Sequence, residues 1–213
     1  LVTGSISFLY YANRIFHLPL ALFAIATSIA LFPKVARYLK KNDEAQAREN
    51  LTKAFWFLTF VLSASTIGGI ILSQEITWLL FQRGAFDTTD TYNTTAVLQM
   101  YMIGLLPFGL QKLFVLWLYA KEMQMQAAKI ATISLVAYIT FALLFITPFG
   151  VAGLALASTI GGFISFFFTV RTFGVSNFFA ILRSKNSLYL IIGIVIFTLL
   201  LLYIHNYTIT LVS

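Results

Sequence analysis

An arginine inside a long apolar stretch is the feature of this sequence best suited to do chemistry. Arg14 lies about 13 Å from the polar edge of that stretch, taking 1.5 Å per residue of helix. A charged side chain at such a depth is costly and usually functional. If residues 3–32 form one helix, spacings of three and four residues place four polar side chains on the face of Arg14. These are Thr3, Ser7, Tyr10 and His17.

Two interpretations of Arg14 are open. Long basic side chains near helix ends reach the lipid head groups, and Arg14 could do no more than that. The depth of the residue and the polar groups above and below it favour a helix that faces a hydrated cavity. In that cavity Arg14 would be a fixed cation for an anionic ligand.

The composition predicts a membrane protein. The 213 residues are 60% hydrophobic and 10% charged, with a mean hydropathy of +0.89, whereas soluble domains carry about 25% charged residues. The apolar runs are continuous rather than alternating, which predicts an all-α polytopic bundle, since each segment in lipid must satisfy its own backbone. We predict one transmembrane helical domain over residues 1–213. Its six transmembrane helices are expected at about 5–32, 53–73, 96–119, 128–147, 151–172 and 188–205.

The net charge of +7 is explained by membrane topology rather than by nucleic acid. Eleven basic residues fall in connections on one side of the predicted bundle, which is therefore predicted to be cytoplasmic. The opposite side has Arg83 alone, while Arg14 and Lys112 lie within the membrane. Both ends of the chain are then on the outer, non-cytoplasmic side, and we expect further spans before Leu1 in a longer protein. The eleven are Lys34, Arg37, Lys40, Lys41, Arg48, Lys53, Lys121, Lys129, Arg171, Arg183 and Lys185.

Proline and glycine predict the breaks in the first half of the chain. Pro19 should kink the first span below Arg14, and Pro33 should mark its cytoplasmic end. The mixed charges of residues 34–54 indicate a solvated connector. Residues 75–84 predict a short interfacial helix with Trp78 as its aromatic anchor, followed by a polar loop over 85–95.

The later spans carry a bend, a hairpin and a stripe of small residues. A bend is predicted at Gly104, Pro107 and Gly109, just before Lys112, which either extends to the cytoplasmic surface or has a role in function. The short connection 147–150 predicts an antiparallel helical hairpin. Small residues at every fourth position predict close helix packing, and residues 172–183 predict a segment on the cytoplasmic surface. The small residues are Gly153, Ala157, Gly161 and Ser165.

Catalytic groups are missing from the predicted membrane interior. It has no paired carboxylates, no His/Cys/Asp cluster and no glycine-rich phosphate loop, so we expect neither an enzyme nor a metal or cofactor site. The two histidines, His17 and His205, fall on different spans, and His205 is best explained by an interfacial belt. No acidic residue lies deep in a span, so this sequence shows no carboxylate relay for protons or sodium, and it does not identify a coupling ion.

Three strings in order along the chain point to a known family. They are GSISFLYYANRIFHLP at 4–19, followed by Pro33, then FQRGAF at 81–86 and GVAGLALA at 150–157. The series closely resembles the MurJ (MviN) lipid II flippases, within the multidrug/oligosaccharidyl-lipid/polysaccharide exporter superfamily. The resemblance implies most of the second lobe of a two-lobe flippase in the bacterial inner membrane. Such proteins carry lipid II, the peptidoglycan precursor, from the cytoplasmic to the periplasmic leaflet by alternating access.

The resemblance also implies roles for particular residues. Arg14 falls on a cavity arginine that is proposed to hold the pyrophosphate of lipid II, and Lys112 falls on the lysine of a bent helix. A guanidinium suits pyrophosphate because its planar fork donates paired, charge-assisted hydrogen bonds. The partners of Arg14 would come from the upstream N-terminal lobe. The complete predicted substrate-binding set is Arg14, Lys112, Ser7, Tyr10, Asn13 and His17.

The sequence departs from the family at three places. Asn13 replaces an acidic residue often found before the arginine, which should leave Arg14 freer for a ligand. Residues 121–128 replace the usual Asp-x-x-Thr-Pro turn of the cytoplasmic gate, and the 213 residues do not include the further helix that is common after the sixth span. Two other functions stay open: export of a drug or another polyprenyl-linked glycan, and a non-transporting scaffold in which Arg14 pairs with a partner protein.

Overall fold

Helix follows helix along the whole described part of the chain. The computed structural model describes residues 4–183 and 186–212, and no strand occurs in those ranges. Thr3 and Lys185, which entered the predictions above, lie outside the described residues. The helices are α1 (Ser5–Pro19), a π-helical turn (Leu20–Ile25), α2 (Ala26–Lys40), α3 (Glu44–Ile71), α4 (Ser73–Phe81), α5 (Thr88–Ile103), α6 (Leu105–Ala120), α7 (Gln124–Phe173), α8 (Val175–Leu182) and α9 (Asn186–Val212).

Two prolines shape the first helical stretch differently from each other. Directly after Pro19, which has no N–H to donate, the backbone widens into the π-helical turn before α2 begins. Pro33 does not end the helix as predicted, because α2 continues to Lys40. Pro33 and Ile29 are both exposed, so the one hydrogen bond lost there lies on the outer side of the helix.

Residues 34–54, the predicted connector, do not form a loop. They consist of the last turns of α2, a short turn and the first turns of α3. Asp43 begins α3 by accepting a hydrogen bond from the backbone N–H of Gln46 at 3.1 Å. Mixed charge therefore marked the solvated ends of two helices and not an irregular segment.

The region of α4 to α6 agrees with prediction except at one helix start. The short predicted helix is present as α4, and the chain bends by 41° between α5 and α6 at Gly104, as expected. However, α5 begins at Thr88, inside the predicted polar loop. Asp87 and Asp90 form a reciprocal capping box that starts the helix there.

The predicted hairpin is confirmed inside α7. Gly150 has non-helical angles (φ 55°, ψ −131°), and the chain turns back on itself at this point. A Cβ at Gly153 would lie 2.3 Å from the carbonyl oxygen of Phe145, and one at Gly161 would lie 3.3 Å from that of Ser134. Residues so far apart along one straight helix cannot meet, so the two arms run antiparallel and the small-residue stripe packs between them.

The core lies where α3, α5, α6 and the second arm of α7 meet. Phe114 is fully enclosed, with ring centroids 4.9 Å from Phe173 and 5.7 Å from Phe178. Phe178 brings the predicted surface segment, α8, onto this core, and Phe55 of α3 completes the cluster. α9 lies outside it against α3, where Gly193 faces Phe60.

The all-α membrane bundle is confirmed, while the number of spans stays a prediction. By length and composition alone, four helical stretches among the described residues could cross a membrane, and the bent pair α5 and α6 would be a fifth. The four are Ser5–Lys40, Glu44–Ile71, Gln124–Phe173 and Ser187–Asn206.

Candidate ligand-binding face

The face of α1 that carries Arg14 is turned away from the core. The core side of the helix consists of Phe8, Ala12, Ile15 and Phe16, all buried. The predicted polar residues Ser7, Tyr10, Arg14 and His17 are exposed on the other side, and Asn13 is half-buried between the two. The structure thus places five of the six predicted site residues on one helix, with four on its exposed face.

A neighbour one turn away orients Arg14. Its Nη2 donates a hydrogen bond to the hydroxyl of Tyr10, and its Cζ lies 4.5 Å from the centroid of the Tyr10 ring. A tyrosine holds a guanidinium in this way through both the hydroxyl and the ring face. Among the described residues no carboxylate lies within ion-pair distance of Arg14. This agrees with the asparagine at position 13.

Aromatic contacts hold α1 against its neighbours at two positions beside the polar face. Phe16 packs on Tyr101 and Phe108, with centroids 5.6 and 5.7 Å away. Tyr11 packs on Phe81 and Phe86, with centroids 4.6 and 5.4 Å away. Tyr11 and residues 81–86 both belong to the strings that carry the family resemblance, but nothing in the sequence predicts their contact.

Lys112 lies apart from Arg14, in a groove between α2 and α6. The groove has a volume of about 350 Å³, and Arg14 is not among the residues that line it. Its walls are mainly apolar, including Ile29, Phe32 and Leu116. The hydroxyl of Ser28 is enclosed beside this groove and has no hydrogen-bond partner in the described part of the chain. The two predicted cations therefore lie apart: Arg14 is on α1, and Lys112 is on α6 beside α2.

Most basic residues lie at one end of the bundle, which we call the basic end. Charged side chains connect the turns there. Glu44 accepts hydrogen bonds from Lys121 at 3.0 Å and Arg48 at 2.9 Å, and Arg48 also donates to Asn177 at 2.6 Å. The hydrogen bond from Lys121 and, to a smaller extent, the one from Arg48 lower the pKa of the Glu44 carboxyl. Glu44 lies in the first turn of α3, outside the apolar part of that helix. The cluster was not predicted, although the spacing of Glu44 and Arg48 marks them as an i,i+4 pair in the sequence.

At the opposite end of the bundle, His205 contacts a second helix. Its Nδ1 lies 3.1 Å from Oε1 of Glu75 in α4. His205, which was predicted only to lie at the interface, thus also connects α9 to α4. In the part of the chain that the structure describes, no group of three or more acidic or histidine side chains could hold a metal ion.

Comparisons of this chain with a family model and with known proteins agree with one another. A family model described as "Lipid II flippase MurJ" matches residues 1–213. A Helicobacter pylori (strain J99) protein named "Probable lipid II flippase MurJ" is 50% identical over 202 residues, covering 95% of this chain and 44% of the relative. A Haemophilus influenzae protein of the same name is 34% identical over 177 residues, covering 80% of this chain and 34% of the relative.

A solved structure gives the same result for the fold. The structure titled "Lipid II flippase MurJ, inward closed conformation" is similar to this chain with a TM-score of 0.76 and 25% sequence identity, covering all of this chain and 49% of its own. The chain thus spans less than half the length of each of these relatives. Their names describe transporters and not enzymes, in agreement with the sequence analysis.

Proposed function

Because the chain belongs to the MurJ family of lipid II flippases, we propose that it is most of the second lobe of a protein that carries lipid II across the bacterial inner membrane. The basic end faces the cytoplasm, and both ends of the chain face the periplasm. The upstream N-terminal lobe of the same protein completes the central cavity. Transport proceeds by alternating access from the cytoplasmic to the periplasmic leaflet.

The observation that carries this proposal is the exposed, uncompensated Arg14. Its guanidinium is oriented by Tyr10 and has no carboxylate partner among the described residues, so it is available for an anion. A pyrophosphate offers the paired oxygens that a guanidinium fork binds best. Ser7, Asn13 and His17 supply further hydrogen-bonding groups on the same helix.

Lys112 has a secondary role in the proposal. As an exposed cation beside an apolar groove, it suits a ligand with both an anionic and an apolar part. A lysine is a point charge without the geometry of a guanidinium, so it contributes attraction rather than orientation.

The test is exposure of lipid II on the outer face of flippase-depleted bacteria that express the complete gene. We expect wild type to restore exposure, Arg14→Ala to abolish it and Arg14→Lys to retain part of it, at matched protein levels. Arg171→Ala is the control, because Arg171 is an exposed arginine in the last turn of α7, away from the α1 face. Full exposure with Arg14→Ala would contradict the role of Arg14. Stable insertion of wild type without any restored exposure would contradict the substrate.

A further inference from the structure

A cleft of about 360 Å³ lies at the opposite end of the bundle from the basic residues. Its two walls are the outward faces of α4 and of the first turns of α5, and His205 of α9 closes one side. None of the predicted substrate-binding residues lines it. The volume falls within the range of small-ligand sites, which begins at about 300 Å³.

The cleft combines two exposed aromatic rings with groups that form hydrogen bonds. Trp78 and Tyr92 line it with 56% and 74% of their surfaces exposed. Glu75 and Gln74 lie one helical turn before Trp78, and Gln82 lies one turn after it. Carboxylate and amide groups accept and donate hydrogen bonds in one plane, while the ring faces offer flat apolar surfaces.

The charges in the cleft favour a neutral polar ligand. No lysine or arginine lines it, so the cleft lacks the permanent positive charge that binds a phosphate most strongly. The acidic residue, Glu75, already has the imidazole of His205 at 3.1 Å, so a cationic ligand would have to share the carboxylate with that ring. The side-chain oxygen of Gln82 already accepts a hydrogen bond from the Thr91 hydroxyl at 2.8 Å, and a purely apolar ligand would leave the NH2 group of Gln82 and the amide of Gln74 without ligand partners.

We propose that this cleft binds a saccharide. A pyranose ring has an apolar face of C–H groups, which packs on Trp78 and Tyr92, and a rim of hydroxyls for Glu75 and the two glutamine amides. The site is separate from the Arg14 face and does not rest on the proposed function. Its test measures binding rather than transport, so either proposal can fail without the other.

The experiment is saturation-transfer NMR on the purified full-length protein in lipid nanodiscs. The probes are cellobiose, N,N′-diacetylchitobiose, the octyl glycoside of cellobiose and tetramethylammonium chloride. The variants are Trp78→Ala, Tyr92→Ala and Glu75→Gln. Tyr203→Ala is the matched control, because Tyr203 is equally exposed (73%) and lies near the same end of the bundle, but does not line the cleft.

We expect at least one free disaccharide to bind wild type and the control equally, and Trp78→Ala and Tyr92→Ala each to weaken binding about tenfold. Glu75→Gln should retain most of the binding, since an amide still forms hydrogen bonds with hydroxyls. Equal binding of the octyl glycoside supports recognition of the ring, whether the glycan is free or lipid-linked.

Three results would overturn the proposal. Disaccharide binding to wild type could be unchanged in both Trp78→Ala and Tyr92→Ala, or absent altogether, which count together as the first result. The octyl glycoside alone could bind, equally in Trp78→Ala, which would show membrane partitioning only. Tetramethylammonium could bind and be lost in Glu75→Gln, which would identify an ammonium site. Because Trp78 and Tyr92 are exposed, their removal leaves the core intact, and an unchanged size-exclusion profile checks the fold.

Discussion

At the scale of single residues, the pair of Arg14 and Tyr10 determines how the charge is presented. The hydroxyl of Tyr10 accepts from the guanidinium, and the ring lies beside it. A cavity cation that is held in place loses less side-chain freedom when a ligand arrives. Tyr10 is therefore a positioning residue for Arg14 in the proposed function.

Replacing Tyr10 by Phe removes the hydrogen bond that orients Arg14, and a hydrogen bond to a charged group contributes about 1.5–3 kcal/mol. Because only part of that energy affects ligand binding, we expect lipid II transport to fall about three- to tenfold. The ring contact with Arg14 remains. Tyr11→Phe is the matched control, since the Tyr11 ring packs on Phe81 and keeps doing so without its hydroxyl. The same exposure assay measures both. Equal activity of the two variants would contradict the positioning role.

The sequence predicted the α1 face because a single helix repeats its side chains regularly. Ser7, Tyr10, Arg14 and His17 needed only the helical period to be grouped. The sequence could not show that Tyr11 packs on Phe81 and Phe86, or that Lys112 lies in a groove apart from Arg14. Those facts depend on how distant helices are placed, and hydropathy does not carry that information.

At the scale of elements, the hairpin in α7 depends on a missing side chain. A Cβ at Gly153 would lie 2.3 Å from a backbone oxygen, which cannot move as the end of a side chain does. Gly153→Ala should therefore destabilise the protein by about 1–3 kcal/mol through overpacking. Thermal unfolding in detergent measures the change as a lower midpoint.

Gly68→Ala is the control for the hairpin. Gly68 lies within α3 with nothing within 4 Å of a Cβ, so alanine should be neutral or slightly stabilising there. If Gly153→Ala unfolds at the same temperature as Gly68→Ala, the two arms of α7 do not pack as closely as described.

A second element-scale prediction concerns Lys121, which connects the turn after α6 to α3 through Glu44. Both side chains are more than one-third exposed, so solvent screening should limit the loss in Lys121→Met to about 1 kcal/mol or less at pH 7. The pKa of Glu44 is below its usual 4.5, so the contribution of Lys121 is present above that pH and disappears as the pH falls through the lowered pKa. Unfolding midpoints at pH 7 and at about pH 3 measure this.

Lys53→Met is the comparison for Lys121→Met. Lys53 pairs with Glu49 within α3 at 2.7 Å and connects no second element. We expect a smaller loss of stability for Lys53→Met at pH 7. A difference between wild type and Lys121→Met that persists at low pH would show that the lysine acts through packing on Trp117 instead of through Glu44.

Element boundaries were the weakest part of the sequence-based prediction. Apolar length identified the helices, but their ends are set by individual hydrogen bonds. The spacing of Asp87 and Asp90 is that of a capping box, but the start of α5 was not predicted from it. Pro33 suggested the end of a helix, but α2 continues past it to Lys40. Lys121 and Glu44 lie 77 residues apart, so their contact could not be predicted from spacing.

At the scale of the whole molecule, the proposed orientation can be tested because the chain has no cysteine. In a cysteine-free version of the full-length protein, Lys41→Cys and Thr89→Cys place single thiols at opposite ends of the bundle. Both positions are exposed. With a membrane-impermeant maleimide on spheroplasts, we expect Thr89→Cys to be labelled and Lys41→Cys only after permeabilisation, following the distribution of basic residues. The reverse pattern would contradict the orientation.

The π-helical turn at Leu20–Ile25 gives the first helical stretch one residue more than a regular α-helix needs for that turn. Because the wider turn absorbs that surplus residue, the half with Arg14 keeps the angular phase relative to the half with Ser28 that a regular helix one residue shorter would give it. Deleting one residue from a flanking regular turn would instead swing the arginine about 100° around the axis while every other side chain kept its identity. The direction in which the cation points is thus encoded by a count of residues as well as by their types.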